Sequence, residues 1–313
     1  RGNEMDCIVF PGQGSQKIGM GKDLSENFVE ARLVFEEVND SLGFSLTKIM
    51  WEGTEKDLSL TSNAQPALMA CGIASFKVLS KLTEKKLPDL ANFVCGHSLG
   101  EYTAMTVSEV FSFSESSKLL RLRGEAMQNA VPVGKGAMAA FIGADIEATD
   151  TILKKVQDYG VCDIANDNSD VQVVISGHLE AVEKAISLSK EYGIKRAVVL
   201  PVSAPFHCRL MEPAQTIMEE ALNELDFKKP IVPIVSNITA QSETDPVKLK
   251  NNLIKQVTGT VRWRETMLLA KKIGVTKISE LGSGKVLTGI AKRMIENVNI
   301  LNLEKSEDFN NIL

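Results

Sequence analysis

The stretch Gly96-His97-Ser98-Leu99-Gly100 follows three apolar residues, 93–95, and precedes residues 101–105, whose composition suits a helix. A serine flanked by glycines at a strand-to-helix turn is typical of a nucleophile elbow. Glycine permits the strained backbone of such a turn, so the Ser98 hydroxyl can project beyond the sheet at the positive end of the next helix. The stretch therefore predicts a strand, a tight turn and a helix with an oxygen nucleophile between them. A solvated serine in an ordinary turn is the simpler alternative.

Length and composition limit the class of protein. The 313 residues suit one large domain, or a large domain that carries a smaller one, and 44% hydrophobic with 24% charged residues is ordinary for a globular protein. The formal net charge of −5 argues against general binding of nucleic acid. No apolar run approaches the ~18–20 residues of a membrane span, and the basic and apolar regions of a signal peptide are missing from the start of the sequence. We therefore expect a soluble protein of the bacterial cytoplasm with neither nucleic acid nor membrane as a partner.

Two features bear on the compartment. The residues Arg-Gly-Asn-Glu precede Met5 and are either a cloning remnant or the scar of a removed presequence, in which case the protein belongs to a mitochondrion or plastid. The cysteines are scattered without paired spacing, which favours reduced thiols over disulfides or a zinc site. They are Cys7, Cys71, Cys95, Cys162 and Cys208.

Two glycine-rich segments fail to match nucleotide-binding motifs. Residues 7–10 predict a short strand that runs into the loop 11–16, but a dinucleotide fingerprint would need glycine where Lys17 stands. Residues 282–285 form no phosphate loop, because Val286 occupies the position where serine or threonine would hold magnesium. The loop 11–16 remains a candidate functional loop.

Two helices next to the elbow carry polar side chains of interest. Residues 63–66 open a long apolar helix in which Pro66 is expected in the first turn. Ser112 and Glu115 form a capping box that begins a helix running to about residue 129. Arg121 and Arg123 lie two residues apart on that helix and point to different faces, so at most one of them can face a pocket.

The pattern changes between residues 134 and 202. Strands are predicted at 137–142, 161–165, 171–176 and 195–200, and helices at 147–158 and 179–191. This order, β-α-β-β-α-β, is the ferredoxin-like split unit. We therefore predict a small domain at residues 133–203, inserted into a large domain formed by residues 1–132 and 204–313.

The three histidines provide one free candidate for a general base. His97 is adjacent to Ser98, and His178 lies in a turn of the small domain. His207, in the turn that leads back to the large domain, remains, although a lone histidine is as often structural.

Five segments together resemble one family. They are residues 10–16, residues 96–102, Arg123-Gly124 with Met127-Gln128, Phe206-His207, and residues 280–293. The family is malonyl-CoA:acyl carrier protein transacylase, the acyltransferase of fatty acid synthesis, and the resemblance covers nearly the full chain. It implies an α/β fold: an α/β hydrolase-like large domain with a parallel sheet, interrupted by a ferredoxin-like small domain.

The resemblance implies roles for the reacting groups. Ser98 corresponds to the nucleophile and His207 to its general base. The backbone N–H groups of Gln13 and Leu99 correspond to the oxyanion hole. The family orients its histidine with a backbone carbonyl, and we expect the carbonyl near Arg262 to do so here, although residues 260 and 262 differ from those of many relatives.

The resemblance also implies how the acyl group is selected. Arg123 corresponds to the arginine that binds the malonyl carboxylate, a contact that an acetyl group cannot make, and Arg121 is then the surface member of the pair. Phe206 resembles the form that leaves little room for a methyl branch, and Met127 is expected to line the same pocket. Positions near the acyl pocket or the cleft are matched by Gln65, Asn166 and Asn168. The exposed cations Lys285, Lys292 and Arg293 could attract an acidic carrier protein or simply be solvated.

The implied reaction is ping-pong transfer from malonyl-CoA, through a malonyl-serine, to the phosphopantetheine thiol of acyl carrier protein. It needs no metal or redox cofactor, and we expect a monomer. Two alternatives remain open. An esterase or thioesterase would pass the acyl group to water and would normally supply an acidic residue between Ser98 and His207 in the chain. A non-catalytic module that docks carrier protein would retain the fold with an inactive site.

Overall fold

Ten strands form two sheets in the residues that the computed structural model describes, 4–202 and 204–312. The larger sheet contains β1 (Asp6–Phe10), β2 (Phe93–Gly96), β7 (Ile234–Val235), β8 (Ser242–Glu243), β9 (Lys277–Leu281) and β10 (Asn299–Leu303). Its strand order is β10-β9-β1-β2-β7-β8, and all neighbours are parallel except β7 and β8. The predicted parallel sheet of the large domain is therefore confirmed.

The smaller sheet contains β3 (Gly136–Ile142), β4 (Cys162–Ser169), β5 (Gln172–His178) and β6 (Arg196–Val199). The strands are antiparallel in the order β4-β5-β3-β6. Two helices, α9 (Ile146–Lys155) and α10 (Leu179–Leu188), complete the β-α-β-β-α-β order predicted from the sequence. The sheet lies within 133–203, the segment that we propose as the small domain, although Ser203 itself lies outside the described residues, as do residues 1–3 and 313.

The remaining helices surround the larger sheet. Before the small domain they are α1 (Lys22–Asn27), α2 (Val29–Leu42), α3 (Leu46–Glu52), α4 (Glu55–Ser59), α5 (Thr61–Thr83), α6 (Leu87–Leu90), α7 (Gly100–Val107) and α8 (Phe113–Asn129). After it they are α11 (Glu212–Asn223), α12 (Pro246–Gln256), α13 (Trp263–Ile273) and α14 (Val286–Met294). None of the helices in the described ranges is long and apolar enough to cross a membrane.

The two central strands are buried on both faces because successive side chains enter opposite layers. Ile8 and Val94 join the core formed with α2, α5 and α8. Cys7 and Cys95 enter the opposite layer, against α13 and α14. Every residue of β1 and β2 is buried, which explains their nearly continuous apolar sequence.

Pro66 was predicted in the first turn of α5, and that prediction is wrong. The helix begins at Thr61, so Pro66 lies beyond the first turn. A proline there removes the N–H that would bond to the carbonyl four residues earlier. That carbonyl, of Ser62, instead accepts from Arg121 Nη1 at 3.1 Å. Arg121 also contacts the ring of Phe44, and 30% of its side chain is exposed, so the predicted surface arginine also packs at the α5–α8 interface.

The small sheet is joined to the large domain by backbone pairing along β4. Val261 donates to Ala165 O at 2.8 Å and accepts from Asp167 N at 3.0 Å. Asn166 lies between them, buried opposite Val261 in an isolated parallel bridge. The Asp167 carboxylate is buried, and it receives Arg264 Nη2 at 2.9 Å from α13. This joint fixes β4 beside the segment that follows α12.

We expect Arg264→Ala to lower the free energy of unfolding by about 3 kcal/mol, because the buried Asp167 carboxylate would lose its counter-ion. Urea denaturation measures the loss. The matched control is Arg262→Ala, since Arg262 pairs with Glu265 at a half-exposed position where an ion pair contributes about 0–1 kcal/mol. Equal losses in the two variants would contradict the assignment of this joint to the Asp167 ion pair.

Candidate active site

Ser98 lies on the turn between β2 and α7 and has φ of 56°, as the elbow prediction requires. The two flanking glycines are needed because the backbone is crowded. A Cβ on Gly96 would lie 1.9 Å from the carbonyl oxygen of Gly100, and a Cβ on Gly100 would lie 2.4 Å from that of Phe10. The turn therefore packs directly against the end of β1.

His207 brings its imidazole to the serine from the turn that follows the small domain. Its Nε2 is 2.7 Å from Ser98 Oγ, and its Nδ1 is 2.9 Å from the backbone oxygen of Gln256. A carbonyl can only accept, so Nδ1 carries the proton and Nε2 presents a lone pair to the serine hydroxyl. This is the arrangement in which an imidazole can remove the hydroxyl proton.

The predicted carbonyl of Arg262 does not orient His207, and that expectation is wrong. The Arg262 carbonyl accepts from the N–H and hydroxyl of Thr266 in the first turn of α13. Gln256 is the last residue of α12, where a carbonyl has no partner four residues later in the helix. Its oxygen is therefore free to accept from both His207 Nδ1 and Gly259 N.

Burial and the nearby positive charge of Arg123 lower the pKa of His207 to about 3. The imidazole is thus neutral over the physiological range and ready to accept a proton. Burial also lowers the pKa of His97, whose Nε2 lies 2.7 Å from Asn168 Oδ1 on the small domain.

Arg123 lies in the site with only 1% of its surface exposed. Its Nη2 donates to Ser98 Oγ at 3.3 Å and to Gln256 Oε1 at 2.9 Å, and its Nη1 donates to Gln65 Oε1 at 2.8 Å. All three partners are neutral, and in residues 4–202 and 204–312 no carboxylate forms a salt bridge with it. A desolvated guanidinium beside the serine is therefore available to a negatively charged group.

Hydrogen bonds extend from Arg123 to the loop after β1. Gln65 Nε2 donates to Thr61 Oγ1 at 2.8 Å, and Thr61 donates in turn to Gln13 Oε1 at 2.8 Å. Gln65 Nε2 also lies 3.8 Å from Met127 Sδ. The sequence prediction placed Gln65 and Met127 at the acyl pocket; in the structure Gln65 fixes the guanidinium of Arg123, and Met127 contacts Gln65. Thr61 carried no motif and was missed.

The loop after β1 approaches the elbow closely. His97 N donates to Phe10 O at 3.0 Å, and a Cβ on Gly12 would lie 2.5 Å from His97 O. Among the described residues, the N–H groups of Gln13 and Leu99 have no protein acceptor. These two predicted donors therefore remain available to an oxyanion, whereas Ser98 N is occupied.

Ser98 N is occupied by a buried amide that sequence reasoning missed. Asn237 Oδ1 accepts from Ser98 N at 2.8 Å and from Gln256 Nε2 at 3.0 Å, while its Nδ2 donates to Gly96 O at 2.7 Å. Glu101, fully buried in α7, accepts from Asn237 N at 2.8 Å. The only available signal was that Asn237 follows a strand of the parallel sheet at the edge where such sheets form sites.

The remaining predicted residues surround this centre. Phe206 is buried directly before His207. Asn166 lies in the joint between the sheets, and within the described residues no side-chain hydrogen bond connects it to Ser98, His207 or Arg123. Lys285, Lys292 and Arg293 are exposed, and Arg293 pairs with Asp170 of the small domain at 2.8 Å. In the part of the chain that the structure describes, no three His, Cys, Asp or Glu side chains are grouped to hold a metal ion.

The chain matches one family of known proteins. Residues 7–293 match the acyl transferase domain family. The malonyl CoA-acyl carrier protein transacylase of Bacillus subtilis is 43% identical over 290 residues, covering 92% of this chain and 90% of the relative. The chain therefore belongs to the malonyl CoA-acyl carrier protein transacylase family of acyltransferases.

Solved structures agree in fold. An acyl-carrier-protein-S-malonyltransferase from Bartonella henselae superposes with a TM-score of 0.95 at 48% identity, over 97% of this chain and 96% of that one. A malonyl-transacylase in complex with the acyl carrier protein of a type II PKS superposes with a TM-score of 0.94 at 37% identity, over 99% of each chain. The predicted fold class and family resemblance are confirmed.

We expect His207 to remain neutral and protonated on Nδ1 from about pH 8 down to about pH 5, the interval in which an ordinary histidine titrates. Nitrogen-15 NMR of labelled histidine side chains reports both the tautomer and the charge. In Arg123→Met the pKa of His207 should rise, because the positive charge that lowers it is gone. A wild-type His207 that titrates near pH 6.5, the ordinary value for a histidine, would contradict the arrangement.

Proposed function

We propose that the protein transfers the malonyl group of malonyl-CoA to the phosphopantetheine thiol of an acyl carrier protein, through a malonyl ester on Ser98. One observation carries the proposal. Ser98 Oγ lies 2.7 Å from a neutral imidazole nitrogen of His207 and 3.3 Å from the buried guanidinium of Arg123. The names of the relatives, and the relative solved with an acyl carrier protein, support the choice of substrates.

In the first half-reaction, His207 Nε2 takes the hydroxyl proton as Ser98 Oγ attacks the thioester carbonyl. The N–H groups of Gln13 and Leu99 stabilise the resulting oxyanion, a contribution typically worth about 10²–10³ in rate per donor. The carbon–sulfur bond then breaks, and the leaving coenzyme A thiolate receives the proton held by His207. In the second half-reaction the carrier thiol gives its proton to His207 and attacks the serine ester by the same steps in reverse.

Arg123 selects the acyl group in this proposal. A malonyl group on Ser98 places its free carboxylate near the guanidinium, which can bind it through parallel charge-assisted hydrogen bonds. The bonds from Gln65 and Gln256 hold the guanidinium in place before substrate arrives, so little ordering remains to be done on binding. The first half-reaction converts a thioester into an oxygen ester, and the second converts it back into a thioester. Neither changes an oxidation state, so we propose that no metal or redox cofactor takes part.

Two further parts of the proposal concern the assembly. We propose a monomer as the working unit, because the hydrogen-bonded group of Ser98, His207 and Arg123 needs no residue from a second copy. Bacterial relatives support a cytoplasmic location. The exposed cations Lys285, Lys292 and Arg293 are the residues that we propose attract the carrier protein.

A hydrolase that releases malonate is the chemical alternative, and the histidine environment argues against it. An α/β-hydrolase triad places a carboxylate on the far nitrogen of its histidine. Here that nitrogen, His207 Nδ1, bonds to the neutral backbone carbonyl of Gln256. Comparing free malonate with malonylated carrier protein among the products distinguishes the two activities.

Incubation with malonyl-CoA should add one malonyl mass to the peptide that contains Ser98, because the ester forms before the carrier thiol arrives. Peptide mass spectrometry after a rapid quench detects it. Ser98→Ala should show no such adduct and no transfer. If transfer continues undiminished in Ser98→Ala, both the covalent mechanism and catalysis at this site are excluded.

Arg123→Ala should reduce malonyl transfer by at least about 30-fold, the equivalent of about 2 kcal/mol for a buried charged contact, while residual acetyl transfer changes far less. Steady-state rates with malonyl-CoA and acetyl-CoA measure the two effects. Arg121→Ala is the matched control, because Arg121 lies on the same helix and bonds to backbone instead of facing Ser98. Equal losses for the two acyl groups would remove the proposed role of Arg123.

A further inference from the structure

Arg123 has a buried carboxylate close by that the proposed mechanism does not use. Arg123 Nη2 donates to Gln256 Oε1 at 2.9 Å, and Gln256 Nε2 donates to Glu101 Oε1 at 3.1 Å. One amide group thus separates the guanidinium from the carboxylate. Both charged side chains and the amide between them are buried, with 0–1% of their surface exposed.

The two oxygens of Glu101 have different environments. Oε1 accepts hydrogen bonds from Asn237 N and from Gln256 Nε2. Oε2 is buried and has no hydrogen-bond partner among the described residues. A carboxylate in this setting is costly unless a nearby cation compensates for it, and the cation beside it is Arg123.

Charge balance makes this arrangement sensitive to substrate. With the site empty, the charges of Arg123 and ionised Glu101 sum to zero. A malonyl carboxylate at Arg123 would place two negative charges around one positive charge in a desolvated site, where like charges raise each other's pKa. Adding one proton to Glu101 restores the sum to zero.

We propose that Glu101 is the resident counter-ion of Arg123 and takes up one proton from solvent when a malonyl carboxylate binds. The inference rests on the proposed function, since it assumes that the malonyl group is bound at Arg123. The new O–H bond forms on Oε2, because Oε1 already accepts two N–H groups. Protonation removes the negative charge of Glu101 as the substrate brings its own, so the net charge of the site does not change.

The other titratable groups near Arg123 are unsuited to this role. Burial raises the pKa of Tyr102, whose ring lies beneath the guanidinium, to about 12. Burial lowers the pKa values of His207 and His97, so both stay neutral. Burial raises the pKa of Glu101 to about 7, against the opposing effects of Asn237, Gln256 and Arg123, so this carboxyl changes charge near neutral pH.

The consequence is a pH dependence specific to acyl groups that carry a carboxylate. Above the pKa of Glu101 the free protein holds the carboxylate ionised, so binding requires a proton and weakens about tenfold for each pH unit. Below that pKa the proton is already present, and binding no longer depends on pH. An acetyl group brings no charge and should show no such dependence.

The test measures proton uptake on binding directly. Malonyl-CoA is titrated calorimetrically into Ser98→Ala, which cannot be acylated, at about one pH unit above the pKa of Glu101 and in two buffers of different ionisation enthalpy. The variation of the observed heat with buffer gives the number of protons taken up. We expect close to one proton for malonyl-CoA and none for acetyl-CoA.

The matched variant is Ser98→Ala with Glu101→Gln, which keeps the shape of the side chain and an acceptor oxygen for Asn237 and Gln256. Its proton uptake should fall to zero. Uptake that persists in this variant, or none in Ser98→Ala, overturns the inference.

A second measurement uses the intact nucleophile. In the wild type, kcat/KM for malonyl-CoA should fall as pH rises through the pKa of Glu101, and in Glu101→Gln that fall should be absent. A fall of the same size in both proteins overturns the inference, and so does a flat wild-type profile. Failure of the proposed function is separate, because it would appear as a wild-type Ser98 that is never malonylated, whatever the binding heats show.

Discussion

The geometry of the site depends on the two ways in which Gln256 is bonded. Its backbone oxygen fixes the ring of His207, and its side-chain oxygen fixes the guanidinium of Arg123. Because one residue at the end of α12 bonds to both groups, the distance between the proposed base and the proposed carboxylate binder is set by a single helix terminus. Ser98 joins the same unit, since its carbonyl accepts from Gln256 Nε2 at 3.0 Å.

The small domain contributes to this centre through the backbone as well as through side chains. The strand β4 pairs with Val261, five residues after Gln256, so the four-stranded sheet is anchored immediately beyond the end of α12. Asn168 then reaches from the same strand to His97, the residue before the nucleophile. A displacement of the small domain would therefore shift groups on both sides of Ser98.

Local sequence patterns predicted much of the fold. The capping box of Ser112 and Glu115 is formed as expected, and the elbow has its positive φ at Ser98. The short edge strand β10 carried no distinct pattern, because its side chains are mostly half-buried and mixed in polarity. The position of Pro66 was misjudged because α5 begins at Thr61, where no capping side chain marks the start of the helix.

Some residues of the candidate site could be predicted from local motifs, and others could not. Ser98, Glu101 and Arg123 stand in recognisable segments, although no motif indicated a role for Glu101. Gln256 and Asn237 act only because the fold brings distant segments together. The carbonyl that orients His207 could not be identified from residue type at all, since every residue has one, and the choice depends on where α12 ends. Buried amides and carboxylates of this kind have no spacing rule, so geometry alone reveals them.

The division of labour between Arg121 and Arg123 has a practical consequence. Arg121 anchors α8 to the carbonyl that Pro66 leaves free on α5, while Arg123, two residues later, points to Ser98. The helix position is therefore secured by a side chain that takes no part in the proposed selection of the acyl group. An engineer who wishes to admit uncharged or bulkier acyl chains could replace Arg123 together with its buried partner Glu101 and still retain the anchor that positions the helix.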